Sequence, residues 1–296
     1  MKIKRSIGSL IFDSVNVVIM VLLVFITLYP VINVFAVSIS SNYYVVSGQV
    51  NLIPRGINFT MYRLLLSTSD VQRAYLNSVL YTATHVVVML ILNSIYAFAL
   101  SKPNLPGKKP LTVFIAVTMF FSGGLIPSYL INRALGAVNS FWVMVLPGAC
   151  TAWTIIMMRT FFQSIPHSLT ESALIDGAGE VSILMRIIIP LSKPLYATMS
   201  LLSLVGSWNA WFNGSIYLID RNRYPIQLML REISILGKIL DRSQLNDPWL
   251  QEAASQMVPQ QYRYAMMMIV MIPIIICYPF FQKFFVKGIM IGAIKG

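Results

Sequence analysis

The chain has 296 residues, 57% of them hydrophobic and only 11% charged, with a mean hydropathy of +0.72. Soluble domains carry roughly 25% charged residues, so the composition excludes an ordinary soluble enzyme or binding module and describes an integral membrane protein. The net charge of +12 is not gathered on a soluble face; this argues against a nucleic-acid partner and for basic loop ends set against anionic membrane lipid.

Taken in chain order, a basic start, MKIKRSIGSL, leads into an apolar run at 15–37. That run exceeds the roughly 7–15 residues of a signal-peptide core and reaches the ~20 residues that a helix needs to cross a bilayer. It is read as a retained first span, although VFAVS at Val34–Ser38 loosely resembles a cleavage site. Further apolar runs at 77–100, 111–131, 141–158, 194–212 and 264–281 complete six predicted spans. The third is interrupted by SGGLIP (Ser122–Pro127), and Pro273 and Pro279 fall in the sixth. Such breaks are tolerated where neighbouring helices or a water-filled path satisfy the freed backbone groups.

The predicted fold is thus an all-α membrane protein of six transmembrane helices. Residues 1–14 form an N-terminal segment, 15–281 the transmembrane domain and 282–296 a C-terminal tail. An even span count puts both termini on one side. Basic residues are denser in the loops that share that side, clearest in SKPNLPGKKP, so the positive-inside rule makes it cytoplasmic. The segment between spans four and five then faces the cytoplasm, and long loops at 38–76 and 213–263 face outward.

No Asp, Glu, Lys or Arg lies within the core of any predicted span. Proton relays and voltage sensors require such groups, which argues against an ion-coupled pump. A secondary transporter would also show inverted repeats, and none is evident. The two histidines, His85 and His167, are far apart in sequence and no H-E-x-x-H occurs, so an intramembrane enzyme or a metal site has little support. Cys150 and Cys277 lie in apolar runs and read as small hydrophobes. The spans offer instead Asn93, Ser94, Tyr96, Trp153, Ser203, Ser207, Trp208 and Asn209. Rings and neutral polar groups suit a neutral polyhydroxylated solute, and equally suit helix–helix hydrogen bonds and interfacial belts. Of these, Asn93, Trp208 and Asn209 are the candidate path residues, because an indole stacks on a sugar face and amides hydrogen-bond hydroxyls.

The segment ESALIDGAGEVSILMRIIIPLSKP (Glu171–Pro194) stands apart from this apolar background. Ser168 three residues before Glu171 has the spacing of a capping box, predicting a helix over about 169–176. Gly177 is a natural left-handed terminator. A second helix should start near Glu180, present Val181, Leu184 and Ile188 as an apolar stripe, and end at Pro190, with Pro194 opening the fifth span. On physics alone the product is either an amphipathic interfacial hairpin or a docking element.

The spacing of Glu171, Ser172, Ala173, Asp176, Gly177 and Ala178, followed by Ile187, Ile189 and Pro190, resembles the EAA motif of ABC-importer membrane subunits in its carbohydrate-importing form. Ser172 for alanine and Ile189 for leucine are mild departures. The span count, the outer loop before the last span and the ending VKGIMIGAIKG resemble the short permease subunit of the maltose type; MFFSGGLIPSYLI (Met119–Ile131) resembles the oligosaccharide branch.

The resemblance implies a multi-pass permease of the bacterial cytoplasmic membrane that forms half of a sugar or oligosaccharide path, as a heterodimer with a second permease subunit. It implies two ATPase subunits beneath, which hold the ATP and Mg, and an extracytoplasmic solute-binding protein above. This chain has no G-x-x-x-x-G-K-[ST] loop of its own, so it is not itself expected to be an enzyme or to carry a cofactor. Residues 168–190 would be the coupling helices that touch an ATPase, loop 213–263 would meet the binding protein, and Gly288–Gly296 would reach between the ATPases. The nearest alternative is an ABC permease for a non-sugar solute.

Overall fold

The computed structural model describes residues 7–235 and 247–293; the described residues are helices and loops, with no strand among them. In chain order the helices are α1 (Ile7–Ser38), α2 (Asn42–Val46), α3 (Thr60–Ser67), α4 (Ser69–Ser101), α5 (Lys108–Val117) and α6 (Leu125–Ala134). They continue with α7 (Trp142–Val145), α8 (Ala152–Gln163), α9 (His167–Ile175), α10 (Glu180–Ile183) and α11 (Ile189–Leu191). The last five are α12 (Lys193–Trp208), α13 (Trp211–Tyr217), α14 (Ile226–Ile235), α15 (Pro248–Ser255) and α16 (Pro259–Ala293).

Among the described residues three helices are each long and apolar enough to cross a membrane: Ile11–Ser38, Ser69–Ser101 and Pro259–Phe284. The span Ile11–Ser38 is the most apolar, with its most hydrophobic window wholly unburied within the chain. A helix apolar on every side and exposed on every side has hydrocarbon or another membrane chain as its solvent. Pro30 and Thr27 sit inside it, and the Thr27 hydroxyl donates back to the Leu23 and Val24 carbonyls at 2.8 and 3.0 Å, so its polar group is satisfied without water.

The other three predicted spans are interrupted. The third divides into α5 and α6 around Thr118–Gly124, where Gly124 takes φ +80° ahead of Pro127. The fourth divides into α7 and α8, a break absent from the sequence-based expectation; Pro147 removes an amide donor and Gly148 takes φ +78°. The fifth leaves the helix at Asn209 and Ala210, between α12 and α13, and just ahead of it α12 meets the Glu180–Leu191 stretch at 83°.

Other boundaries also move. The predicted loop at 213–263 contains the end of α13, a 3-10 turn at Arg221–Arg223, α14, α15 and the start of α16; 236–246 lie outside the described residues. The predicted tail from 282 is a continuation of α16 to Ala293, with 294–296 outside the described residues, and Pro273 and Pro279 do not end that helix. At the other end α1 begins inside the predicted N-terminal segment, and 1–6 lie outside the described residues.

Contacts divide the chain into two units, one formed by residues up to Ser69 with Glu232–Met271 and the other by Asp70–Arg231 with Ile272 onward. The first has its core at the end of α1 and in α3, which packs on α15. Polar pins fix it: Gln261, fully buried, donates from Nε2 to the Ser40 carbonyl at 2.5 Å, and Ser38 and Tyr62 share a 2.7 Å hydroxyl hydrogen bond. The second unit has two apolar clusters. One joins Ala97 and Phe98 of α4, Met158 and Phe162 of α8, Ile183, Leu184 and Ile188 near α10, and Leu195 and Met199 of α12. The other joins Tyr81, Val143–Val145, Tyr217 and Leu218.

Gln261→Leu keeps the volume and strands the buried Ser40 carbonyl, an unsatisfied group worth about 1–3 kcal/mol. The expected outcome is a lower thermal unfolding midpoint in detergent than for Gln260→Leu at an exposed neighbour.

Candidate coupling segment and candidate path

α9 begins at His167 after Pro166, one to two residues earlier than predicted. The capping box does not form: Ser168 is already the second helical residue, so its hydroxyl is past the position that faces the free amides, and no side chain caps this end. Glu171 is therefore not a cap; it lies in the second turn, exposed. The C-terminus is as predicted. Asp176 closes the helix, Gly177 takes φ +81°, its amide donates to the Leu174 carbonyl at 3.0 Å, and the Ala178 amide reaches the Ala173 carbonyl at 2.9 Å. This pair of bonds is the Schellman motif. Ala173 and Ala178, partly buried, pack against the cluster formed by α4, α8 and α12. Glu171, Ser172, Asp176 and Gly177 stay on the exposed side, together with Leu169, Leu174 and Ile175.

The next stretch, Glu180 to Leu191, is helical throughout but opens into a π-turn at Leu184–Ile188. Pro190 explains the widening, because its ring would clash with the carbonyl four residues back, Arg186, in a regular helix. The predicted stripe changes in consequence. Val181 is exposed, while Ile183, Leu184 and Ile188 are buried and Ile187 is half-buried. Pro190 is in the last turn and Ser192 follows it.

A contact invisible in the sequence ties this segment to α4. Lys102 Nζ lies 2.6 Å from Glu180 Oε2 and 4.5 Å from the Phe98 ring. Lys108 Nζ in turn donates to the Lys102 carbonyl at 2.7 Å, answering one of the free carbonyls beyond the α4 C-terminus. The pair is partly exposed, so its own contribution is about 0.2–1 kcal/mol; the shared core of Phe98, Ile183, Leu184 and Ile188 supplies the larger part of the attachment.

Two cavities, of about 320 and 1010 Å³, meet at Pro147 and Gly148 in the α7–α8 break and at Asn213 on α13. The smaller is lined among others by His85, Trp153, Ser203 and Ser207; the larger by the glycine turn before α6, Asn132, Ser140, Trp142, Phe212 and Tyr217. Of the ring and hydroxyl groups noticed in the sequence, Trp153, Ser203 and Ser207 are thus brought to one wall.

The three candidate path residues are not on it. Asn93 is fully buried; its amide nitrogen donates to the Met89 and Ala149 carbonyls at 2.6 and 2.7 Å, and its oxygen lies 3.4 Å from the Thr151 amide. His85, two turns earlier, has Nδ1 2.7 Å from the Val145 carbonyl. Together they hold the broken backbone of the fourth predicted span. Trp208 is 3% exposed and meets Tyr75 edge-on at 5.7 Å, so its ring face is spent on packing. Asn209 is exposed, with its side-chain oxygen accepting from Gln227 Nε2 at 2.7 Å.

The described residues form an arrangement of apolar helices, without strands among them, that matches the fold of an ABC importer's membrane subunit. A crystal structure of a bacterial ABC transporter involved in the import of the acidic polysaccharide alginate contains a chain that matches 96% of this one and 100% of itself, with a TM-score of 0.88 at 34% identity. A second match, in a bacterial alginate ABC transporter complexed with an alginate pentasaccharide-bound periplasmic protein, has a TM-score of 0.53 at 14% identity over 83% of this chain and 87% of its own, a likeness of fold alone. Residues 4–219 match the family described as the binding-protein-dependent transport system inner membrane component, and the chain belongs to that family. Among its relatives, the polygalacturonan/rhamnogalacturonan transport system permease protein YtcP of Bacillus subtilis is 36% identical over 97% of this chain and 99% of its own. Protein LplC of the same organism is 33% identical over 97% and 95%, and the trehalose transport system permease protein SugB of Mycobacterium tuberculosis 27% over 91% and 93%. The chain is a membrane-embedded permease subunit of a binding-protein-dependent importer rather than an enzyme.

Asn93→Leu leaves the Ala149 carbonyl and the Thr151 amide unanswered and should destabilise the protein by about 1–3 kcal/mol. Asn209→Ala, at the surface, should stay within about 0.5 kcal/mol of wild type. Thermal unfolding of the two variants in the same detergent checks the contrast.

Proposed function

We propose that this permease imports a sugar or oligosaccharide and forms half of the translocation path with a second, different permease subunit. Two ATPase subunits with ATP and Mg sit on the cytoplasmic side, and a solute-binding protein delivers the sugar from outside. Support for the substrate class comes from the names of the relatives, which move polygalacturonan, rhamnogalacturonan or trehalose, and from the alginate importer that shares its fold. In this reading the three continuous helices and the three interrupted runs make six spans in a bacterial cytoplasmic membrane, with both termini in the cytoplasm and α14 and α15 outside, toward the binding protein. The end of α16 would approach the ATPase pair.

The observation that carries the coupling role is the two-sidedness of the segment from His167 to Leu191. One side is built into the core of the spans through Ala173, Ala178, Ile183, Leu184, Ile187 and Ile188. The other leaves Glu171, Asp176, Leu169, Leu174 and Ile175 uncovered, with Ile175 87% exposed. An anchored element with an uncovered apolar and acidic face is suited to receive another protein. Ser172 and Gly177 allow close approach on that face, and Pro190 shapes the joint to α12. The 83° bend there lays Glu180–Leu191 along the membrane face if α12 crosses it. ATP-driven closure of the ATPases would then move a rigid body that includes the ends of α4, α8 and α12.

The test is to purify the permease with its ATPase and to measure subunit retention and hydrolysis stimulated by loaded binding protein. Glu171→Lys should release the ATPase, because reversing one partner of an interfacial charge pair costs several kcal/mol; Glu171→Gln should weaken it less. Gly177→Val meets open space, so its cost is backbone strain of about 1–2 kcal/mol at φ +81°; it should leave insertion intact and lower stimulated hydrolysis. Full retention and full stimulation in both Glu171→Lys and Gly177→Val would show that the segment is an interfacial hairpin only.

A further inference from the structure

Outside the coupling segment, the most unusual feature is a break in a membrane helix with open space on both sides. Between Leu146 and Thr151 the fourth predicted span has no helical backbone. In hydrocarbon such a stretch persists only where it is buried in protein or lines water. The Asn93 and His85 contacts answer the side of the break that faces α4. Its other side, at Pro147 and Gly148, opens into both cavities.

Among the described residues, the lining of these cavities contains no Asp, Glu, Lys or Arg. It does contain three large rings with roughly half their surface uncovered: Trp142 at 52%, Phe212 at 47% and Trp153 at 45%. Two of these meet a neighbouring ring. Trp142 meets Phe141 edge-on at 5.6 Å and 89°, and Phe212 meets Trp211 at 5.6 Å and 88°. The ring contact helps to orient each side chain, and its uncovered surface is free to meet a solute. The same lining includes neutral hydrogen-bonding groups, among them Asn213 and Ser140.

We infer that this break and the two cavities that meet at it form a wet, uncharged sugar-binding wall in this subunit. It takes the apolar faces of sugar rings on Trp142 and Phe212 and their hydroxyls on groups such as Asn213. An uncharged wall of this kind does not read carboxylates; if the cargo is a uronate oligomer, its charges are matched by other members of the assembly. The inference rests on the sugar-permease reading and goes beyond it, because it places a sugar contact on this subunit and assigns it to residues other than Asn93, Trp208 and Asn209.

The test uses the complete transporter in lipid nanodiscs, with Cys150 and Cys277 replaced by alanine and Asn213→Cys introduced. A cationic methanethiosulfonate reagent probes the thiol. Since the thiolate is the reacting species and does not form in hydrocarbon, Asn213→Cys should react at least roughly a hundredfold faster than Val24→Cys on the exposed apolar face of α1. Binding protein loaded with tetragalacturonate or with trehalose, whichever the wild-type complex takes up in an ATP-dependent assay, should then slow the reaction by about fivefold or more, as a bound solute excludes water from the site. Reaction as slow as at Val24→Cys would overturn the wet wall, and fast reaction without protection by a transported sugar would overturn the sugar contact. Uptake of neither sugar would count against the substrate class itself, a separate result read in the uptake assay before any labelling.

Discussion

The constraint on which the structure depends is that hydrocarbon offers no hydrogen-bond partner to an exposed peptide group. Wherever this chain leaves the helix inside an apolar run, some other part of the protein must answer the freed donors and acceptors. At the α7–α8 break the answer comes from α4, whose Asn93 and His85 reach the Ala149, Thr151 and Val145 backbone. At Pro190 the helix widens into a π-turn instead of breaking, so most of its bonds survive. Polar residues in such a chain are therefore spent first on holding helices, and only what remains is available to a solute. That explains why Asn93, the most conspicuous amide in the second predicted span, is fully buried.

The same economy shapes the segment from His167 to Leu191. Two short helices do not hold their positions alone; here they borrow rigidity from the core that also contains Phe98, Met158, Phe162, Leu195 and Met199. The Schellman turn at Gly177 sets where α9 stops, and the buried Ile183, Leu184 and Ile188 set how the next stretch lies. The Lys102–Glu180 pair adds a polar tether at the edge of that core, next to the Phe98 ring. A displacement of α9 is thereby shared with α4, α8 and α12 through one packed core.

What the sequence by itself determined was the class. Composition and the apolar runs placed the chain in a membrane, the spacing from Glu171 to Pro190 resembled a motif of the family to which the chain belongs, and Gly177 was recognisable as a left-handed terminator because few other residues tolerate that conformation. The helix after Gly177 and the break at Gly123–Gly124 were legible for the same local reason. What only the tertiary structure decided was the use of each polar or aromatic side chain. The capping box at Ser168 and Glu171 was lost to a helix that starts at His167, Val181 gave its buried place to Ile183, and Trp208 and Asn93 went to packing while Trp153, Ser203 and Ser207 went to a cavity wall. These outcomes depend on which helices lie opposite, and on a π-turn that shifts the register of every residue after it. Local patterns encode backbone conformation; whether a tryptophan faces another ring or open space is set by neighbours more than a hundred residues away, such as Tyr75 for Trp208.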